Sequence, residues 1–271
     1  MLSQFSVLLS LYYKERPDFL YQSLASIFDQ TAIPAEVVLV KDGPLTDELE
    51  KILLGYQQRY SSLKIVSLPQ NQGLGRALNE GLKYCSYDIV ARMDTDDIAK
   101  PDRFEKQLSF LETHPEIDVV GSWIDEFEGS IDNILSVRKL PETPEELFQY
   151  GKSRNPINHP AVMFRKSAVL RSGSYQHFPL FEDYYLWVRM LMNGSKFYNI
   201  QESLLYFRTS PDMFKRRGGL KYALTEMKLQ YRFYKLGYIS LYQMLKNDIV
   251  RTVVRLIPNS LRSFIYQKVL R

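Results

Sequence analysis

Short runs of unbroken apolar residues alternate with helical patterns through the first half of the chain. Residues 5–11 (FSVLLSL) are apolar nearly throughout, which predicts a strand buried on both faces. Pro17 opens a helix in which Leu20, Leu24 and Ile27 recur at helical spacing. EVVLV (36–40) predicts a second strand, closed by the turn Asp42-Gly43-Pro44. A helix is expected over 46–59, a strand over 64–68, and a helix over 73–85 with Leu74, Ala77, Leu78 and Leu82 on one face. DIVARM (88–93) predicts a fourth strand that runs straight into Asp94-Thr95-Asp96-Asp97. Further on, helices are expected over 101–114 and 181–192, and strands over 117–123, 161–165 and 203–208. Residues 124–160 read as mixed, with edge strands and a turn-rich stretch at Pro141-Glu142-Thr143-Pro144. After Gly218-Gly219 the chain reads as helical over 220–236 and 241–257, with a short helix after Pro258.

Strand–helix alternation with fully apolar strands predicts an α/β fold: a mostly parallel central sheet covered by helices on both faces. Ligands of such sheets bind beyond the carboxyl ends of the strands. The Asp42-Gly43 turn and the 94–97 run both follow strands, so they are expected on one edge of the sheet. The pattern divides into a body, 1–208, and a helical extension, 209–271.

Composition narrows the function. With 271 residues, 45% hydrophobic and 24% charged, a disordered chain, a collagen and a coiled coil are excluded. The single cysteine, Cys85, excludes an internal disulfide framework and a cysteine-rich zinc site, and three histidines make a poor start for a histidine metal site. A metal is therefore expected to be a hard cation on carboxylates. The apolar run at 5–13 has no basic segment before it and reads as a strand rather than a signal peptide, and no stretch reaches the roughly 18 apolar residues of a membrane span. A cytoplasmic location is expected. The net charge of +4 hides an asymmetry: Arg208 to Arg271 holds fourteen Lys and Arg against three Asp and Glu. An acidic body with a basic tail points to an anionic partner for the tail.

Three carboxylates within four residues repel one another and raise each other's pKa unless a cation sits among them. Asp oxygens suit Mg²⁺ or Mn²⁺ shared with substrate phosphates. The plainer alternative is an acidic loop with Asp97 as a helix cap. Phe181-Glu182-Asp183 opens a helix, where acidic residues either offset the dipole or supply a general base. His159 lies in the polar loop Asn155-Pro156-Ile157-Asn158-His159-Pro160.

Taken together, four segments resemble family 2 glycosyltransferases of the GT-A fold. FSVLLSLYYKERPDFLYQSLASIFDQT is similar to that family's opening strand and helix, and EVVLVKDGP to its strand ending in Asp-Asp-Gly-Ser. NQGLGRALNEGLKYCSYDIVARMDTDDIAKPDRFEKQ resembles the segment carrying its DxD motif, and FEDYYLWVRM its Glu-Asp helix. The spellings Tyr12-Tyr13-Lys14-Glu15, Asp42-Gly43-Pro44-Leu45 and Arg216-Arg217-Gly218-Gly219 look most like the amylovoran-type subgroup, which assembles exopolysaccharide, capsule and O-antigen repeat units on a lipid carrier. Lys41 stands where the family usually has Asp, Ser10-Leu11 replaces a usual Pro before Tyr, and Leu186-Trp187-Val188-Arg189 replaces the Gln-x-x-Arg-Trp of processive synthases. A processive polymer synthase is not expected.

The resemblance implies an inverting, metal-dependent enzyme that moves a sugar from a UDP-sugar to a lipid-diphosphate-linked sugar. It implies a nucleotide-sugar site at Tyr12, Glu15, Asp42, Gly43, Arg76, Asp94, Thr95 and Asp96. It also implies Mn²⁺ or Mg²⁺ on Asp96 and Asp97, and Asp183 as the base. His159, Glu182, Trp187 and Arg208 are implied near the acceptor or diphosphate. The basic tail, with Leu241, Leu245, Ile249, Val253 and Leu256 on one side of a helix, is expected to hold the enzyme at the cytoplasmic face of the inner membrane. Nucleic acid is not an expected partner, since the body is acidic and no nucleic-acid motif is present. Two alternatives stand beside this reading. A strand followed by DxD also resembles haloacid-dehalogenase phosphohydrolases, with Asp94 as nucleophile and Asp96 as acid/base, although that signature normally follows a first strand. A non-catalytic membrane assembly factor is the other.

Overall fold

The structure, a computed structural model, describes residues 3–210 and 219–256. Four strands form one half of a nine-stranded sheet: β1 (Ser6–Leu11), β2 (Glu36–Lys41), β3 (Leu63–Ser67) and β4 (Ile89–Arg92), in the order β3-β2-β1-β4 and parallel throughout. The helices α1 (Pro17–Phe28), α2 (Asp47–Arg59) and α3 (Leu74–Tyr84) connect them. The unbroken apolar runs have a direct cause. Val7, Leu9, Leu11, Val37 and Leu39 pack on α1 and α2 on one face, while Leu8, Val38 and Val40 pack on α3 on the other. Alternate side chains of one strand thus serve two cores, so both sets are largely apolar.

Beyond β4 the sheet turns mixed. β8 (Met163–Arg165) runs antiparallel to β4, and β6 (Val119–Phe127) antiparallel to β8. β9 (Phe197–Arg208) is parallel to β6, while β5 (Ile98–Ala99) is antiparallel to β9 and β7 (Ile134–Arg138) to β6. The parallel sheet expected from the alternation is therefore found in the β1–β4 half, where a helix connects each strand to the next. Two further helices cover this side: α4 (Arg103–Thr113) and α7 (Glu182–Met192), on opposite faces.

Two short helices were not expected. α5 (Pro144–Tyr150) starts in the stretch read as turns, because Thr143 and Glu146 form a reciprocal capping box with Pro144 at the first helical position. α6 (Lys166–Arg171) follows β8 directly. The extension folds as α8 (Leu220–Lys235) and α9 (Leu241–Leu256), and Tyr222, Leu229 and Phe233 of α8 join the same apolar cluster as α7. The boundary drawn at 208 thus separates two segments that share a core. The helix expected after Pro258 and the Arg216-Arg217-Gly218 spelling lie outside the described residues. Among the described residues no helix is long and apolar enough to cross a membrane.

Candidate active site at the sheet edge

β1, β2 and β4 are parallel neighbours, so Tyr12, Asp42 and Asp94 all emerge at one edge of the sheet. The acidic run, with Met93, is the whole link between β4 in the sheet's middle and β5 at its far side. Its position is fixed at several points. Ser23 Oγ donates to the Asp94 carbonyl at 3.0 Å, and Thr95 Oγ1 donates to Glu15 Oε2 at 2.9 Å. At the end of β9, Arg208 N donates to Asp97 Oδ1 at 2.8 Å and Arg208 Nε to the Asp96 carbonyl at 2.9 Å.

Beneath the loop lies a residue the sequence reading passed over. Arg92, 1% exposed, binds both carboxylate oxygens of Asp94 with its two terminal nitrogens. Residues i and i+2 point to the same face of a strand, so a lone Arg in an apolar strand two positions before an Asp was the available signal. Arg103, also fully buried, donates to the Arg92 carbonyl at 2.7 Å, and burial with the neighbouring Arg92 charge pushes it down to about 9. Both Asp94 oxygens are engaged by Arg92, which removes the free carboxylate that the phosphohydrolase alternative needs at that position.

Ligand oxygens of Asp94, Asp96 and Asp97 lie within 4.8 Å of one another. Burial, with the Asp94 and Glu15 charges, pushes Asp96 up to about 7. Asp97 is raised well above the carboxylate range by burial and by the Asp96 charge. Asp97 Oδ2 is buried with no hydrogen-bond partner among the described residues. A crowded set of hard oxygens with one orphaned lone pair fits a divalent cation.

The other edge residues are partly explained by folding. Both oxygens of buried Asp42 accept main-chain amides, from Gln72 at 2.6 Å and Gly73 at 3.0 Å, so this carboxylate sits at the N-terminus of α3 and offsets its dipole. Gly43 has φ +91°, and a Cβ there would stand 2.7 Å from Asn71 N. Tyr12 is half-buried against Tyr13, its carbonyl accepting from Glu15 N at 3.1 Å. Arg76 lies exposed on the first turn of α3.

The first turn of α7 closes the site. A Cβ on Gly75 would lie 3.1 Å from Glu182 Cβ, so α3 and α7 meet here at close range. Glu182 is pushed up to about 7 by burial and by the Asp183 charge, with Asp94 adding to the effect, and its Oε2 has no hydrogen-bond partner among the described residues. Asp183 is raised by burial, against the opposing pull of the Tyr184 amide, of Asn155 and of Arg92. Asn155 Nδ2 donates to Asp183 Oδ2 at 2.7 Å. His159, in a 3₁₀ turn (His159–Ala161), bonds the Tyr175 hydroxyl through Nε2 at 2.8 Å, and burial beside Arg92 keeps it neutral. Asn155 lies 28 residues from Asp183 and Tyr175 16 residues from His159, so no spacing announced either contact.

Two of the expected site residues are engaged within the fold. Trp187 is 0% exposed and packs edge-on to His159 and Phe197, with ring centroids 5.9 and 5.8 Å away. Helix spacing puts it on the face of Asp183, but the second turn of α7 is pressed into the core, and the ring packs there. Arg208 is not a free phosphate clamp either. Its guanidinium donates to the Asp96 carbonyl and to Gln22 Oε1 at 2.7 Å, and lies 3.8 Å from the Phe19 ring centre. Its place is in holding the acidic loop.

Comparison with known proteins fits this edge. The model for "Glycosyl transferase family 2" matches residues 6–170. A UDP-Gal:alpha-D-GlcNAc-diphosphoundecaprenol beta-1,3-galactosyltransferase from Escherichia coli is 42% identical over 268 residues, covering 99% of this chain and 97% of that protein. The amylovoran biosynthesis glycosyltransferase AmsE of Erwinia amylovora is 40% identical over 264 residues, covering 97% and 98%. Among solved structures, the mannosyltransferase PcManGT from Pyrobaculum calidifontis, in complex with GDP-Man and Mn²⁺, superposes with a TM-score of 0.65 at 14% identity, covering 99% of this chain and 81% of that one.

Proposed function

The chain belongs to glycosyl transferase family 2, with the GT-A fold, and we propose that it transfers galactose, glucose or a related sugar from a UDP-sugar to a polyprenyl-diphosphate-linked sugar in bacterial surface-polysaccharide synthesis. The observation that carries this reading is the meeting at one sheet edge of an acidic triad fit for a cation and a partly buried carboxylate, Asp183, oriented by Asn155. The name of the Escherichia coli relative supplies the substrate class, and that of AmsE the polysaccharide setting.

The acceptor hydroxyl loses its proton to the Asp183 carboxylate as its oxygen bonds to the anomeric carbon. The bond from that carbon to the diphosphate breaks in the same step, and UDP departs with the electron pair. Burial raises Asp183 from its ordinary value, which makes it a stronger base than a free Asp. Attack opposite the leaving group inverts the anomeric centre, so an α-linked donor gives a β-linked product. Asp96 and Asp97 would hold Mn²⁺ or Mg²⁺, which offsets the charge on the leaving diphosphate. Glu15, Thr95 and Arg208 keep the loop that bears these carboxylates in place. Tyr12, Asp42, Gly43, Arg76 and Asp94 border the nucleotide, and His159 and Glu182 the acceptor side.

An amphipathic tail at the cytoplasmic face of the inner membrane would bring the site to a lipid-borne acceptor. Asp183→Asn should retain UDP binding, read as a Mn²⁺-dependent thermal shift, while transfer falls at least about a hundredfold. NMR of the wild-type product should show the inverted linkage; a retained α-linkage overturns the single-displacement mechanism.

A further inference from the structure

The extension does more than attach to the body: it grips the segment that orients the base. α9 reaches the loop after α5 at two consecutive carbonyls. Asn247 Nδ2 donates to the Lys152 carbonyl at 2.8 Å, and Arg251 Nη2 donates to the Ser153 carbonyl. Two residues on, Asn155 donates to Asp183. The grip is itself braced. Buried Glu226 of α8 pairs with Arg251 and with Arg255 Nε at 2.8 Å, and Gln230 Oε1 accepts from Asn247 at 2.8 Å. The opposite side of the same loop is tied to α7, where the Tyr184 hydroxyl donates to the Gly151 carbonyl at 2.8 Å. Tyr184 follows Asp183 directly, and its ring meets Phe233 of α8 edge-on at 4.9 Å.

We infer that Asn247 and Arg251 are positioning residues for catalysis, acting through the 152–155 segment and Asn155 on Asp183. The physical basis is the steepness of rate with geometry: about 1 Å of misplacement of a reacting group can cost about a hundredfold. A polar grip on two carbonyls limits the drift of Asn155 and hence of the carboxylate it holds. This rests on Asp183 being the base, as proposed above.

The test uses the full-length chain with UDP-galactose, Mn²⁺ and a water-soluble, short-chain alkyl-diphosphate GlcNAc acceptor, so that membrane binding does not enter the rate. Asn247→Ala and Arg251→Met should each lower kcat about tenfold or more with the donor KM and the UDP-induced thermal shift unchanged. Adding either change to Asn155→Ala should lower kcat little beyond Asn155→Ala alone, because all three act through one contact. Full kcat in both variants overturns the inference, and so do losses that multiply with that of Asn155→Ala. If Arg251→Met fails to fold, Asn247→Ala, which removes no charge, decides. Transfer that survives in Asp183→Asn refutes the base assignment and this inference together; transfer lost in Asp183→Asn but unimpaired in Asn247→Ala and Arg251→Met sinks the inference alone.

Discussion

Asp96 carries the sharpest titration consequence at the level of single residues. Its pKa is pushed up to about 7 from an ordinary 3.8 by burial and by the Asp94 and Glu15 charges. Between those values the folded chain keeps a proton that the unfolded chain has released. The stability this group contributes is therefore fully present below about pH 4 and is lost as pH rises toward about 7. A divalent cation requires the deprotonated carboxylates, so it competes with protons for the same oxygens. The rise in Tm produced by Mn²⁺ should accordingly grow from about pH 5 to about pH 8, and Asp96→Asn should flatten that growth. Scanning fluorimetry across pH, with and without Mn²⁺, reads both; a Mn²⁺ shift that is equal at both ends of the range would remove Asp96 as a ligand. The neighbouring Arg92 explains why the site tolerates so many carboxylates. A buried guanidinium on Asp94 neutralises one of the three from beneath, leaving Asp96 and Asp97 for a cation from above.

Elements differ in how plainly the sequence announced them. β1, β2 and β4 were legible because a strand buried on both faces is apolar at nearly every position, and their shared direction placed Asp42 and the acidic run on one edge. α5 was not, because Pro144 and Thr143 signal a turn and a helix start with the same letters. β5, two residues long, has no pattern of its own and exists only because β9 is there to pair with it. The site divides in the same way. Carboxylates on strand ends and on the first turn of a helix could be read from position, and so could the Arg92 clamp, two residues from Asp94, whereas the contacts of Asn155 and Tyr175 form across the fold. The link between β2 and α3 offers a test at this scale. Gly43 and Gly73 both have φ near +90°, but a Cβ on Gly43 meets Asn71 N at 2.7 Å, while a Cβ on Gly73 meets nothing within 4 Å. Gly73→Ala should thus cost only the backbone strain, about 1 kcal/mol, and Gly43→Ala about 2–3 kcal/mol because the 70–73 loop must also shift. Urea unfolding should show the two midpoints in that order at unchanged slope; equal losses would mean that the Asn71 contact relaxes freely.

At the scale of the molecule, α8 and α9 present a surface unlike the rest. Their inner faces are consumed by the core and by the grip on 152–153. Outward, Leu241, Leu245, Ile249 and Val253 of α9 recur every fourth residue and are each at least half exposed. Leu220, Leu224 and Tyr231 of α8 are exposed as well. Five exposed cations, Lys221, Lys228, Arg232, Lys235 and Lys246, lie on the same two helices. Their two acids are withdrawn: Glu226 is buried in its ion pairs and Asp248 is half-buried. A second copy of this chain would bring like charges together, whereas an anionic leaflet takes both the apolar residues and the cations. Each cation near such a leaflet contributes about 1 kcal/mol, so a few suffice for reversible attachment. The triple change Leu245→Glu, Ile249→Glu and Val253→Glu leaves the buried side of α9 untouched. It should abolish co-flotation with phosphatidylglycerol vesicles while leaving transfer to a water-soluble acceptor at the wild-type rate. Wild-type protein should float poorly with neutral phosphatidylcholine, and its binding to anionic vesicles should weaken with salt. Undiminished flotation of the triple variant would place the contact elsewhere, and a wild-type dimer in light scattering that the triple change dissolves would assign the face to self-association instead. Attachment through α9 would set the lipid surface against the same helix that holds Lys152 and Ser153, so the base and the membrane would be referenced to one element. An acceptor anchored in that surface by its lipid would then arrive at a fixed height relative to Asp183, and binding at the interface would contribute to the orientation of the attacking hydroxyl.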